Sequence, residues 1–290
     1  MSTREHRLRS RRPLAGAERD ADGYLLRWSG CGVMGVINVT PDSFSDGGRH
    51  LAPAAAVAAA RAQWAAGATW IDVGGASTRP GAPAVPPEVE TARVVPVVRA
   101  LRAEEPAARV SIDTSDAEVA RAAVIAGADL VNDVRGLRDP VLRAACAELG
   151  VPALVSHLRG EPAPMQEAPT FDDVVAEVAA ELRAARAQAL ADGVADVLLD
   201  PGIGFGKTTA HNRALLRATA ALAGLGAPLL VGASRKRSLG RVAGEPEASR
   251  RDAASLAAHL FVAARGAALV RAHDVPAHVQ GLRVWRWLDG

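Results

Sequence analysis

The stretch RVSIDTSDAEVARAAVIAGADLVND, residues 109–133, contains one complete strand–helix–strand unit. Its two ends, RVSID and DLVND, are short runs with β-branched residues that finish on a polar side chain, as expected of strands buried in a parallel sheet. Between them lies an alanine-rich amphipathic segment, near residues 116–126, that favours a helix. The unit is typical of a parallel sheet whose strands are joined by helices.

The same alternation repeats along the chain from residue 33 onward. Strands are predicted at 33–38, 69–74, 109–113, 129–133, 152–157, 196–200, 228–233 and 268–272. Helices are predicted near 53–66, 88–103, 116–126, 139–149, 172–192, 210–223, 249–264 and 276–287. Eight such units in about 250 residues favour a closed barrel over an open sheet. The prediction is therefore an α/β fold, a (β/α)8 TIM barrel that forms a single domain.

The predicted barrel domain covers residues 23–290, beginning with a short hairpin in GYLLRWSGCG (23–32). Residues 1–22 are arginine-rich and irregular, so we expect a disordered N-terminal tail there.

Composition restricts the classes of function. Of the 290 residues, 49 % are hydrophobic, which is enough for a large core, and only 3 % are aromatic, which argues against a stacking surface for nucleic acid. The net charge of +2 is too small to favour binding to DNA or to membranes by overall electrostatic attraction. Two cysteines do not make a disulfide framework, and no secretion signal is evident, so we expect a reducing, cytoplasmic location.

Polar side chains mark the ends of the predicted strands. They are Asn38, Asp72, Asp113, Asn132, His157, Asp200, Lys236, Arg271 and His273. In a barrel these carboxyl ends converge on one mouth, which holds the active site. A single Asp or Asn at such a position could instead cap a helix. Capping does not explain His157, Lys236 or Arg271, so an active site is the better interpretation of the set.

The chain has 34 basic residues but only two lysines, Lys207 and Lys236. Lys207 ends the glycine-rich stretch DPGIGFGKTT (200–209), which superficially resembles a phosphate-binding loop. The Walker pattern fails because Pro201 stands where its first glycine belongs, and a dinucleotide fingerprint fails because Lys207 replaces its third glycine. We expect the glycines to permit a sharp turn at the rim of the barrel.

Seven motifs, taken together, resemble those of one known family. They are GVINVTPDSFSDGG (35–48), DVGGASTRPGA (72–82), SIDT (111–114), VNDV (131–134), DPGIGFGKT (200–208), VGASRKR (231–237) and VRAHDV (270–275). In order and spacing they are similar to dihydropteroate synthase, from about residue 31 to the end. The resemblance implies condensation of 6-hydroxymethyl-7,8-dihydropterin pyrophosphate with p-aminobenzoate to 7,8-dihydropteroate and pyrophosphate, in folate biosynthesis. It also implies Mg²⁺ as cofactor and a homodimer.

The resemblance further implies roles for individual residues. Those matching the pterin pocket are Asp113, Asn132, Asp200 and Lys236. Those matching the pyrophosphate site are Asn38, Arg271 and His273, with Asn38 also meeting Mg²⁺. Candidate catalytic residues are Asp113 and Lys236, with Phe44 and Asp46 on the first loop. The loop matching the p-aminobenzoate site contains Ser77, Thr78, Arg79 and Pro80.

Four positions depart from the family pattern. Ala76 stands where glutamate is usual, Ser156 and Leu158 flank His157 where methionines are frequent, and Ser238 replaces a common phenylalanine. The loss of a carboxylate at position 76 leaves open a paralogue that binds pterin without catalysis or acts on another substrate. A pterin methyltransferase would share the acidic pocket, but it would need neither Arg271 and His273 nor the loop after Asn38.

Overall fold

The computed structural model describes residues 4–40, 51–77, 84–160 and 169–289. Within these ranges the strands are β1 (Glu5–Ser10), β2 (Glu18–Asp20), β3 (Gly23–Ser29), β4 (Gly32–Asn38), β5 (Trp70–Gly74), β6 (Val110–Asp113), β7 (Leu130–Asp133), β8 (Ala153–Ser156), β9 (Val197–Asp200), β10 (Leu230–Val231) and β11 (Leu269–Ala272). The helices are α1 (Leu51–Ala65), α2 (Pro87–Glu104), α3 (Ala117–Ala126), α4 (Pro140–Leu149), α5 (Val174–Ala191), α6 (Thr209–Arg217), α7 (Thr219–Ala223), α8 (Arg237–Ala243), α9 (Asp252–Ala263) and α10 (Val275–Asp289).

Strands β4 to β11 form one parallel sheet of eight strands in the order β10-β11-β4-β5-β6-β7-β8-β9. A parallel bridge between Leu199 and Leu229 joins its two ends, and the amide of Leu199 donates to the carbonyl of Pro228 at 3.0 Å. The sheet therefore closes on itself, and the prediction of a TIM barrel is confirmed. Helix α8 was not predicted, and the helix predicted at 210–223 is two helices that meet at Ala218.

Several helices begin at a polar cap directly after the strand-end loop. Asp116 accepts from the amides of Glu118 and Val119 at the start of α3, and Asp173 accepts from two amides at the start of α5. Thr208 caps α6 through the amide of His211. Such caps satisfy amides that the first helical turn leaves unpaired. Helix starts are thereby fixed close to the barrel mouth.

The interior of the barrel is layered. Seven large apolar side chains, one from each of seven strands, fill the lower layer: Met34, Trp70, Leu130, Leu154, Leu198, Leu230 and Leu269. Because side chains alternate along a strand, the residue two positions further points to the same interior. Those residues are Val36, Asp72, Asn132, Ser156, Asp200, Gly232 and Arg271. Five of these seven are polar, so a mainly polar layer lies next to the apolar one, toward the carboxyl ends of the strands.

Residues 4–22 are ordered, which corrects the expectation of a disordered tail for this part of residues 1–22; residues 1–3 lie outside the described residues. Strands β1, β3 and β2 form an antiparallel sheet, in which Leu8 is paired with Leu26. Leu8, Leu14 and Leu26 are buried in one cluster with the lower interior layer of the barrel. Alternation in EHRLRS places Leu8 inward and the arginines outward, so the composition concealed a strand.

This N-terminal sheet, β1–β3, covers the amino ends of the barrel strands. The amide of Arg9 donates to Asp196, just before β9, at 3.0 Å, and the indole of Trp28 donates to the carbonyl of Ala268, just before β11, at 3.2 Å. The guanidinium of Arg109 donates to the carbonyl of Ala15 at 2.8 Å. One end of the barrel is therefore closed, and the polar layer lies toward the other.

Both cysteines, Cys31 and Cys146, are buried and free. Among the described residues, no helix combines the length and the apolar character needed to cross a membrane.

Candidate active site

Four polar side chains of the upper layer form a connected cluster in the barrel mouth. Arg271 donates to Asp72 at 2.7 Å through Nε and to Asp113 at 2.8 Å through Nη2. The amide of Asn132 donates to the same Asp72 oxygen at 3.0 Å. Asp72, Asp113 and Asn132 are buried. Arg271 therefore joins the predicted pterin carboxylate Asp113 to a second acidic residue, and two carboxylates share one guanidinium.

Several polar atoms of this cluster and of Ser111, which is paired in register with Asp72, are buried without a hydrogen-bond partner among the described residues. They are Oδ1 of Asp72, Oγ of Ser111, Oδ1 of Asp113 and Oδ1 of Asn132. Leaving a buried polar group unpaired costs about 1–3 kcal/mol, so native proteins keep few of them. Four together in a barrel mouth mark a surface built to accept hydrogen bonds from a ligand.

Burial controls the protonation of the two predicted pterin carboxylates. Desolvation raises the pKa of Asp113 to about 7, although Arg271 opposes this and Asp72 adds to it. Desolvation also raises the pKa of Asp200, against the amide of Gly202 and the charge of Lys236. The pKa of both carboxyl groups is thus raised by burial, and perturbed pKa values of this kind are typical of functional sites.

Asp200 ends β9 beside the cluster. Its Oδ1 accepts from the amide of Gly202 at 2.8 Å, and its Oδ2 lies 3.5 Å from the hydroxyl of Ser156. A Cβ on Gly232, in the next strand-end loop, would lie 3.7 Å from Asp200 Oδ2 and 3.9 Å from Cβ of Arg271. Asp200 and Arg271 therefore line the same cavity, and the glycine between them keeps it open.

Lys236 reaches the mouth from the loop after β10. Its ammonium lies 3.9 Å from the centre of the Phe205 ring, a cation–π contact. Burial lowers the pKa of Lys236 to about 8, with Asp200 and Asp113 acting to raise it and Arg271 to lower it. Lys236 therefore lies close enough to Asp200, Asp113 and Arg271 to interact with their charges. All four predicted pterin residues converge on one site.

The predicted anion residue His273 lies beside Ser234. The Ser234 hydroxyl lies 2.8 Å from Nδ1 of His273 and accepts from the His273 amide at 3.2 Å. Burial, helped by Arg235 and Arg271, lowers the pKa of His273 to about 4. The family resemblance implies that His273 helps to bind pyrophosphate, a role in which a charged imidazolium would be favourable. The ring is instead neutral at neutral pH, so its contribution to an anion site is a hydrogen bond.

Asn38 ends β4 and is paired in register with Gly74, which is paired with Asp113. Its side chain is partly exposed and forms no hydrogen bond with another described residue. Among the described residues, no three His, Cys, Asp or Glu side chains are grouped to hold a metal. Mg²⁺ retains several waters and often binds through one or two protein oxygens together with substrate phosphates. The side-chain amide of Asn38 at the rim therefore suits a Mg²⁺ ion that binds together with a diphosphate.

The remaining predicted residues belong to the two rim loops. Ser77 is the last described residue before the gap in the second loop and is exposed. Phe44, Asp46, Thr78, Arg79 and Pro80 lie outside the described residues, so their predicted roles stay predictions.

Some residues of the site received no role from the sequence. Asp72 was noted on its strand, and Lys207 was matched to the family without a function. Ser111 and Phe205 were not singled out. Period-two alternation was the available signal for Ser111, because it lies two residues before Asp113 on the same face of β6. The position of Phe205 under Lys236 depends on a loop conformation that no periodic pattern encodes.

Comparison with known proteins places this site in a family. Residues 34–273 match the family described as pterin binding enzyme. Dihydropteroate synthase of Escherichia coli strain K12 is 46 % identical over 266 residues, covering 91 % of this chain and 94 % of the relative. A structure of Xanthomonas albilineans dihydropteroate synthase with 4-aminobenzoic acid superposes with a TM-score of 0.86 at 47 % identity, covering 92 % of this chain and 96 % of that one.

A second structure of the Xanthomonas enzyme, in complex with 7,8-dihydropteroate, has a TM-score of 0.84 at 44 % identity and covers 96 % of this chain and 99 % of that one. The order of motifs, the closed barrel and the acidic cluster in its mouth agree with these likenesses. The chain belongs to the pterin-binding enzyme family, among the dihydropteroate synthases.

Proposed function

We propose that this chain condenses 6-hydroxymethyl-7,8-dihydropterin pyrophosphate with p-aminobenzoate, giving 7,8-dihydropteroate and pyrophosphate. The observation that carries the proposal is the group of unpartnered buried acceptors at Asp113, Asn132 and Ser111, beside Asp200 and Lys236. The edge of a pterin ring presents amino and ring N–H donors together with a carbonyl and ring nitrogens. The site offers carboxylates for the donors, an amide for either kind, and an ammonium for the carbonyl or a ring nitrogen.

Asp113 stabilises the reacting centre in this proposal. The bond between the pterin methylene carbon and the diphosphate oxygen breaks, its electron pair leaves with pyrophosphate, and positive charge develops on the methylene. An ionised Asp113, held by Arg271 at 2.8 Å, is a fixed negative charge where that cation forms. The nitrogen of p-aminobenzoate then forms the new C–N bond and loses a proton. No covalent bond to the protein is required.

The anion site assigned to the leaving diphosphate contains Arg271 and His273. Burial disfavours the charged form of Arg271, but the carboxylates of Asp72 and Asp113 favour it more strongly, so the pKa of Arg271 is raised. Arg271 is therefore charged at all relevant pH values. When bound, Mg²⁺ would neutralise diphosphate charge. Asn38 would hold the ion through its amide oxygen, at the rim.

The test is an assay of purified protein with dihydropterin pyrophosphate, p-aminobenzoate and Mg²⁺, with 7,8-dihydropteroate and released pyrophosphate both measured. We expect equimolar formation of the two products. Binding of a pterin analogue by calorimetry, without product formation from either p-aminobenzoate or other arylamines, would instead support the non-catalytic paralogue suggested by Ala76.

The homodimer implied by the family resemblance is part of the proposal. The last helix, α10, exposes Val284, Trp287 and Leu288 at 56 %, 77 % and 71 %. Apolar side chains grouped at a surface are a common sign of a protein contact. Sedimentation equilibrium of the wild type and of Trp287→Glu tests this: we expect a dimer that the substitution weakens, and a monomeric wild type would contradict it.

A further inference from the structure

Lys207 is a buried cation that the proposed reaction does not use. It is 3 % exposed, and its amine contacts oxygen and nitrogen atoms on several sides. It donates to the carbonyls of Gly202 at 3.0 Å, Phe205 at 2.9 Å and His157 at 3.3 Å. Nδ1 of His157 lies 2.9 Å away. Among the described residues, no carboxylate lies within ion-pair distance of this amine.

The two carbonyls within the loop belong to residues that touch the site. Gly202 donates its amide to Asp200, and the ring of Phe205 lies under the ammonium of Lys236. The Lys207 amine therefore fixes the loop over residues 200–207 at two points, each directly behind a substrate-facing group. His157 follows β8, so the same amine also ties this loop to the neighbouring strand end.

The surroundings of the amine are tight. Gly202 has a φ of +66°, and a Cβ there would lie 1.9 Å from the carbonyl oxygen of His157 and 3.3 Å from Nζ of Lys207. A compact ammonium with three donors suits acceptors that converge from several directions, whereas the planar fork of arginine does not. Burial lowers the pKa of Lys207 to about 7, with Asp200 opposing the shift.

Nε2 of His157 lies close to helix α5 without completing a hydrogen bond there. It lies 3.1 Å from Oε2 of Glu181, whose other oxygen accepts from Arg159 at 2.8 Å. Burial lowers the pKa of His157 to about 3, so the ring is neutral and its Nδ1 can accept from Lys207 while Nε2–H faces the carboxylate. His157 thus offers the Lys207 amine a neutral acceptor at the end of β8.

We propose that Lys207 is a positioning residue for pterin recognition, whose amine sets the places of Asp200 and Phe205 through the loop that joins them. The inference rests on the proposed function, since it assigns Asp200 to the pterin. It explains why both lysines of this arginine-rich chain lie at one site: one faces the cavity, and the other holds the loop behind it.

The experiment compares Lys207→Met and Lys207→Gln with Arg102→Met. Arg102 is a matched control, because its guanidinium also donates to several carbonyls, those of Pro106, Ala108 and Gly127, near the closed end of the barrel. For each folded variant, thermal unfolding, the Kd of 6-hydroxymethylpterin by calorimetry, and KM for each substrate are measured. The measurements are made well below the midpoint of the least stable variant.

We expect all three substitutions to lower the unfolding midpoint. Lys207→Met is expected to raise the pterin Kd and the KM for the pterin substrate by at least about tenfold, because unpaired buried carbonyls let the loop move. Lys207→Gln, which keeps two donors, should lose less. Arg102→Met should stay within about twofold of the wild type in both constants.

Wild-type pterin affinity in either folded Lys207 variant would overturn the inference, as would an equal loss in Arg102→Met. The binding measurement separates this from the proposed function. A wild type that binds pterin without forming product refutes the reaction while the effect of Lys207 on binding is still measured. Product formation with unaltered binding in the Lys207 variants refutes the positioning role alone.

Discussion

Lys236 occupies a space that suits a slender side chain. Its ammonium faces the ring of Phe205 at 3.9 Å, and a Cβ on Gly204 would lie 3.0 Å from its Cδ. We expect Lys236→Arg to lower kcat/KM by at least about tenfold despite the retained charge, because a guanidinium cannot aim one donor in the same space. Arg241→Lys, at an exposed position of α8, is the matched reverse exchange and should change kcat/KM by less than about twofold. Near-normal turnover of Lys236→Arg would contradict the assigned role.

Asp113 should make stability depend on pH in an unusual direction. Its pKa is raised by burial from 3.8 to about 7, so the folded state binds more protons than the unfolded state between these values. The free energy of unfolding attributable to this group therefore falls as pH rises through the interval. Urea unfolding at pH 4.5 and 7 should show wild-type stability declining relative to Asp113→Asn. A difference that stays constant or grows with pH would rule out the raised pKa.

At the scale of elements, the glycine loop after β9 depends on a close backbone approach. Gly202 and Gly244 have nearly equal φ values of +66° and +68°, but a Cβ on Gly244 meets nothing within 4 Å. Both Gly→Ala changes should share a strain cost of about 1 kcal/mol in unfolding free energy. Gly202→Ala should cost clearly more and should also weaken pterin binding, since the loop must move away from His157. Equal losses by denaturant unfolding would show that the approach is not tight.

The N-terminal sheet should contribute stability without affecting chemistry. Leu8 is fully buried between this sheet and the lower layer of the barrel. Leu8→Ala should lower the free energy of unfolding by about 2–5 kcal/mol, as for other core truncations, with KM for both substrates unchanged. Arg7→Ala, at the exposed neighbouring position, should stay within about 0.5 kcal/mol. A large rise in KM for Leu8→Ala would indicate that packing at the closed end affects substrate binding in the mouth.

The elements were predictable to different extents for physical reasons. All eight barrel strands were located from the sequence, because buried parallel strands require apolar runs, and several of them end at a polar residue of the mouth. The strand at Glu5–Ser10 was missed because its inward side chains, His6, Leu8 and Ser10, alternate with charged ones and only one of them is strongly apolar. Helix α8 was missed because seven residues containing Gly240 and two arginines give little periodic signal.

The site was predictable where it depends on strand ends and not where it depends on loops. Asp113, Asn132, Asp200 and Arg271 end up together because the barrel fixes where their strands finish. The shared Asp72–Arg271–Asp113 geometry could not be predicted, since it requires knowing which side chains face across the interior. The neutral state of His273 follows from burial beside two cations, which is a property of the assembled structure.

For the molecule as a whole, the stability of the fold should not depend on a bound metal ion. The described residues contain no group of three metal-binding side chains, whereas the apolar layers and the closed sheet supply a core. We expect EDTA to abolish turnover and to leave the thermal midpoint of the free protein unchanged. Pterin pyrophosphate with Mg²⁺ should raise that midpoint by mass action, more than Mg²⁺ alone. A midpoint that falls on chelation would reveal a structural metal.

The scarcity of lysine has a practical consequence. The two ε-amines of the chain lie within one loop system, and Lys236 is the more accessible of the pair, with its pKa lowered to about 8. Free amines acylate only when they are unprotonated and within reach of the reagent. The pKa of Lys207 is lowered to about 7, but that side chain is only 3 % exposed, so a mild anhydride at slightly alkaline pH should modify Lys236 before Lys207. Peptide mass spectrometry of such a reaction, run with and without pterin, would measure the acylated fraction of Lys236. That fraction would report directly how much of the protein has a ligand in the barrel mouth.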